Sequence, residues 1–216
     1  MACLRHPAAA THRRYCAACL LEEALAPAIP SFSIQVPLGR SRSSSVFLVR
    51  TEELVPRLLR LKTWHKPAPD GFLVRFHELK ARLEGWRDGG IAAPVGATVD
   101  AAGFPSVLSE FRQGVPVLER VRSGALRPAA AMTLLQPLVA LTRAAHERGL
   151  VHGSIVPGNV IVQPDATTAC LLDFGLGRLL DDSAPEELSP SADLAAWDAL
   201  VRALREPPAD PPRHTL

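Results

Sequence analysis

The stretch 151–162, VHGSIVPGNVIV, decides how the rest of the chain is read. It sets His152, Pro157 and Asn159 around a short turn between two apolar runs, and Asp173-Phe174-Gly175 follows 14 residues after Asn159. Ser154 stands between His152 and Asn159. Its hydroxyl is neutral at pH 7 and has no useful basicity. The stretch therefore offers no obvious base.

Working outward, the run 129–149 (AAAMTLLQPLVALTRAAHERG) has the composition of a long helix, with Gly149 suited to its C-terminal stop. Before it, 32–111 alternates short apolar runs with turns. SIQVPL, VFLVR, LVPRLLRL and FPSVLSEF read as strands. FLVRFHELKARL, 72–83, places Phe72, Phe76, Leu79 and Leu83 on one helical face. A last helix is expected over 192–205, with Leu194, Trp197, Leu200, Val201 and Leu204 as its apolar stripe and Asp193, Asp198, Arg202 and Arg205 off it. A β-rich half followed by a helical half implies an α+β protein of two lobes with a cleft between them.

These motifs together resemble the bacterial Ser/Thr protein kinase-like family over about residues 32 to 204. VHGSIVPGNVIV resembles the catalytic loop in its H-G-D variant, and Asp173-Phe174-Gly175 resembles the DFG motif. LGRSRSSSV, 38–46, resembles the glycine-rich loop: Gly39 and Val46 match, while Ser41 and Ser44 replace two glycines. The resemblance implies that Lys62, 16 residues after Val46, is the strand lysine, with Glu78 as its helix partner. Arg60 then occupies the slot of a small residue that packs on adenine. Ser109, Glu110 and Phe111 resemble the hinge. Asn159 and Asp173 would hold Mg²⁺ against the phosphates of ATP.

Where the family has its catalytic aspartate, this chain has Ser154, and Val156 replaces the basic or polar residue two positions later. Losing a positioned general base costs about 10²–10⁴ in rate. Ala184-Pro185-Glu186 resembles the APE motif, yet only eight residues separate Gly175 from Ala184, too few for the usual activation segment and peptide platform. The implied protein is a pseudokinase that binds ATP-Mg²⁺ weakly and acts by binding a protein partner. Two alternatives stay open: a weakly active ATP-dependent Ser/Thr phosphotransferase, and a scaffold that takes no nucleotide.

Composition limits the remaining classes. A net charge of +2, from 24 basic and 22 acidic residues, carries no nucleic-acid footprint. No apolar run reaches about 18 residues, so no membrane span is expected, and with no signal-peptide pattern a cytoplasmic protein is expected. Three of the four cysteines fall in the first 19 residues, as Cys3-x-x-His6 and Cys16-x-x-Cys19. Three thiolates and one imidazole at that spacing suit a structural zinc knuckle, with His12 able to replace His6. Cys170 lies in an apolar run and reads as a core residue. The expected organisation is a knuckle over 1–25, a linker over 26–31, lobes over 32–112 and 113–205, and a disordered tail over 206–216.

Overall fold

The structure, a computed structural model, describes residues 29–84, 86, 90–180 and 188–206. The expected zinc ligands Cys3, His6, Cys16 and Cys19, the Ala184–Glu186 motif and the tail beyond Glu206 lie outside the described residues. The described chain divides into two compact units: 29–84, 86, 92–111 and 178–180 form one, and 90–91, 112–177 and 188–206 form the other.

The first unit is built on a five-stranded antiparallel sheet of order β1-β2-β3-β5-β4. Its strands are β1 (Phe32–Arg40), β2 (Ser44–Thr51), β3 (Leu58–Trp64), β4 (Pro94–Val99) and β5 (Pro105–Glu110). Strand alternation sends Val49, Leu59, Leu61 and Leu108 to one buried face, where Ile29, Phe32, Phe47 and Val95 close over them. Arg60 and Lys62 point to the opposite face. One boundary differs from expectation: LVPRLLRL was to be a strand from Leu54, whereas β3 begins at Leu58. Residues 52–57 form the β2–β3 turn instead, clasped by Thr51, whose Oγ1 accepts the Arg57 N–H at 2.9 Å. β4, with a proline and a glycine in six residues, has no clear strand signal and is visible only in the structure.

Helix α1 (Phe72–Leu83) matches its amphipathic reading and buries Phe72, Phe76, Leu79 and Leu83. It packs on β4. Gly71 starts it from the left-handed region.

The second unit is mostly helical. α2 (Val117–Arg122) leads to α3 (Pro128–Glu147), and a three-stranded sheet joins β6 (Val115–Pro116), β7 (Val160–Val162) and β8 (Ala169–Leu171). α3 ends as expected at Gly149, which has φ +68°. The Gly149 N–H donates to His146 O and the Leu150 N–H to Ala145 O, at 2.8 and 2.9 Å, which satisfies the last-turn carbonyls. α4 (Gly177–Leu180) is a single turn, and α5 (Pro190–Arg205) is capped by Ser189, whose side chain accepts the Ala192 N–H. Trp197, Leu200 and Leu204 bury the inner face of α5, and Trp197 Nε1 donates to Thr142 Oγ1 of α3 at 3.2 Å. Asp193 corrects the expected polar face. It is 2% exposed, because it supplies a buried acceptor described below.

Replacing Gly149 by alanine forces a side chain into the left-handed region, at a cost of about 1–2 kcal/mol. The thermal midpoint should fall by roughly 2–8 °C, the range for a chain of this size. An unchanged melting curve would count against this cap.

Candidate functional site

The loop 150–159 is short of local hydrogen bonds and obtains them from α5. Asp193 Oδ2 accepts the His152 N–H at 2.8 Å, and Oδ1 accepts the Gly153 N–H at 2.9 Å. His146 Nε2 of α3 lies 2.9 Å from Asp193 Oδ2. One buried carboxylate thus joins two helices and the loop. Gly153 has φ +72°, and a Cβ there would lie 2.8 Å from Leu188 Cδ2, so the turn requires glycine twice over.

His152 is fully buried and stacks at a tilt on Phe174, with ring centroids 4.9 Å apart. Its Nδ1 accepts the Ser154 N–H at 3.2 Å. Burial pushes its pKa down to about 4, against the opposing pull of the Asp193 and Asp173 carboxylates. The ring is therefore neutral at pH 7. Having no exposed surface, it is a packing and positioning group rather than a base for a solvent-borne substrate.

Asn159 is buried at the end of a 3₁₀ turn (Pro157–Asn159). Its Nδ2 donates to Ser154 O at 2.9 Å and to Ser154 Oγ at 3.3 Å. Both contacts use the amide nitrogen, which turns Oδ1, the better metal ligand, away from Ser154. The Leu172 N–H donates to Asn159 O at 2.8 Å, so the residue before Asp173 is held against Asn159. Asp173 is 4% exposed and adopts φ +60°, a conformation that costs a non-glycine residue about 1–3 kcal/mol. The Gly175 N–H donates to His152 O at 3.1 Å and holds this bend in place. The two oxygen ligands expected for Mg²⁺ thus lie on backbone segments that are hydrogen-bonded to each other. An amide oxygen and a carboxylate fit an ion that otherwise takes water and phosphate oxygens. No cluster of three His, Cys, Asp or Glu residues able to hold a metal exists among the described residues.

The remaining expected residues lie in the first unit. Gly39 and Val46 face each other across the β1–β2 ladder, and Val46 faces Lys62 across β2–β3. At the hairpin tip, Ser41 Oγ accepts the N–H groups of Ser43 and Ser44 at 3.2 and 3.0 Å, and the Ser41 N–H donates to Ser44 O. The turn's own serine therefore occupies the N–H groups that a phosphate-cradling loop would present. Lys62 Nζ lies 5.1 Å above the Trp64 ring, a cation–π contact. Glu78, its expected partner, is on the exposed side of α1. Arg60 is 8% exposed, opposite Leu48 and Ser109. Glu110 pairs with Ala93 through backbone and side chain, and Phe111 closes the unit half-buried.

Sequence reasoning placed Asp193 off the apolar stripe of its helix and missed His146. Asp193, Trp197, Leu200 and Leu204 fall on one helical stripe, a signal that could have placed the carboxylate indoors.

Over 83% of its length the chain superposes on crystal structures of the Mycobacterium tuberculosis PknI kinase domain. A double mutant gives a TM-score of 0.65 at 21% identity over 75% of that chain, and the unmutated domain 0.60 at 23% over 74%. The fold is that of a protein kinase domain. The serine/threonine-protein kinase pkn2 of Myxococcus xanthus is 28% identical over 162 residues, 73% of this chain and 19% of that protein. PknL of Mycobacterium tuberculosis is 27% identical over 151 residues, 68% of this chain and 37% of that protein. The chain is protein kinase-like. It spans less than two fifths of the length of either relative, and no sequence-family model matches it. No described helix of this kinase-like chain is long and apolar enough to cross a membrane.

The buried imidazole makes a pH prediction. In the unfolded chain His152 takes its proton near the ordinary 6.5, and in the folded chain only near 4. Between those values the unfolded state binds more protons, so stability is lost as pH falls from 6.5 towards 4. At about 1.4 kcal/mol per unit, the loss attributable to His152 at pH 5 is on the order of 2 kcal/mol. Denaturant unfolding at pH 7 and pH 5 should show this drop in the wild type and a smaller one in His152→Leu. Equal drops would contradict it.

Proposed function

We propose that this kinase-like chain is a pseudokinase: it binds ATP-Mg²⁺ weakly through Asn159 and Asp173, does not transfer the phosphoryl group at a useful rate, and acts by binding a protein partner. The observation that carries this reading is the setting of Ser154. Its Oγ accepts from Asn159, and its N–H is taken by His152. The neighbouring buried carboxylate, Asp193, is occupied by two backbone N–H groups and His146. A substrate hydroxyl placed here would meet no carboxylate at position 154 to orient it or accept its proton. Bound Mg²⁺ would supply charge neutralisation on the phosphates. The chain's own contribution is then to hold Asn159 and Asp173 in place.

The scaffold without nucleotide is the second reading. Arg60, buried on the face that also carries Lys62, and the self-satisfied Ser41 turn both favour it. Thermal-shift titration with ATP, with and without Mg²⁺, separates the two. The pseudokinase should show a Mg²⁺-dependent rise that disappears in Asp173→Ala, whereas the scaffold shows none.

Restoring the carboxylate with Ser154→Asp should raise any residual ATP hydrolysis by about 10²-fold or more, with water as acceptor. Peptide phosphorylation should stay undetectable, given eight residues between Gly175 and Ala184. Wild-type turnover of roughly 1–100 s⁻¹, the ordinary kinase range, would overturn the reading.

A further inference from the structure

At Lys62 the neighbour expected from the sequence and the neighbour found differ. β3 sends Arg60, Lys62 and Trp64 to one face, since alternate residues of a strand share a side. On that face Lys62 Nζ lies 5.1 Å from the centroid of the Trp64 ring. The contact falls within the roughly 6 Å over which an aromatic face attracts an ammonium, and indole is the strongest such face. Trp64 is 7% exposed and Lys62 is half-buried, so water screens the contact little. Glu78, the carboxylate that the resemblance pairs with Lys62, stands on the exposed side of α1.

The indole is itself fixed by the end of the β2–β3 ladder. Trp64 pairs with Ser44, and the His65 N–H beyond it donates to Ser43 O at 2.9 Å. The Ser44 N–H in turn donates to Ser41 Oγ at 3.0 Å. The serine turn, standing where the resemblance expects glycines, thus closes the ladder up to the residue that carries the ring. A lysine ammonium is a point charge on a flexible stem, so the groups it touches decide where it sits. Here one such group comes from the same strand as the lysine.

We infer that Trp64 is a positioning residue for the Lys62 ammonium, taking the part that the resemblance gives to Glu78. The ammonium is then placed by β3 itself and needs no carboxylate from α1. This placement stands independently of the proposed function, whereas its effect on ATP rests on the pseudokinase reading.

The test is NMR of the full chain carrying isotope-labelled lysine, which has only Lys62, Lys66 and Lys80 to report. A methylene held over an aromatic face resonates upfield of its ordinary position. The Lys62 side-chain signal, assigned by its loss in Lys62→Gln, should therefore stand apart from the other two. Trp64→Leu should return it among them, while Trp64→Phe, which keeps an aromatic face, should return it part of the way. In thermal-shift titration Trp64→Leu should weaken ATP-Mg²⁺ binding about threefold to tenfold, the worth of one cation–π contact, and Trp64→Phe should recover part of the loss.

A Lys62 signal that Trp64→Leu leaves unmoved, or that Glu78→Gln moves instead, overturns the inference. A moved signal with unaltered ATP affinity overturns the effect on ATP. If the wild type gives no response to ATP-Mg²⁺, the pseudokinase reading fails and the Lys62 signal decides the placement alone. Should Trp64→Leu fail to fold, Trp64→Phe decides: a partial return of the signal supports the placement, and an unmoved signal overturns it.

Discussion

The geometry of the candidate site depends on one buried carboxylate. Asp193 sits 2% exposed at the start of α5, and an isolated charge there would be costly. Two backbone N–H groups and an imidazole compensate it. The bargain is reciprocal, because the N–H groups of His152 and Gly153 would otherwise be left without partners in a loop that has no ladder of its own. The positions of Ser154, Asn159 and Asp173 follow from that anchor: His152 O then receives the Gly175 N–H, and Asn159 O receives the Leu172 N–H.

None of these bonds involves the side chain of residue 154 as an essential member. The loop can hold its shape with serine at that position, since Asn159 donates to the Ser154 carbonyl as well as to the hydroxyl. The chemistry at 154 and the architecture around it are therefore separable. The sheet-bearing unit is held by local contacts of its own. Its Ser41 turn satisfies its own N–H groups, and Arg60 is buried where a small residue would leave space.

Much of this was legible in the residues. α1 and the end of α3 follow from apolar periodicity and Gly149, which are local signals. The α+β kinase-like fold follows from the order and spacing of two motifs. β3 was misread at its start because Leu54 and Val55 are apolar yet lie in a turn, exposed, with the ordering done by Thr51 and Arg57. Asp193 was misread because its partners lie about forty residues away: the stripe it shares with Trp197, Leu200 and Leu204 could place it indoors, but no local pattern names the backbone N–H groups it accepts. The self-capping of the Ser41 turn was equally out of reach: a run of serines does not say which hydroxyl takes which N–H.

The anchor is tested most directly by amide hydrogen exchange at His152 and Gly153. Both amides should be strongly protected in the wild type and equally so in Ser154→Asp, whereas Asp193→Ala should remove their protection by at least about tenfold while β3 amides keep theirs. Unchanged protection of His152 and Gly153 in Asp193→Ala would contradict the account.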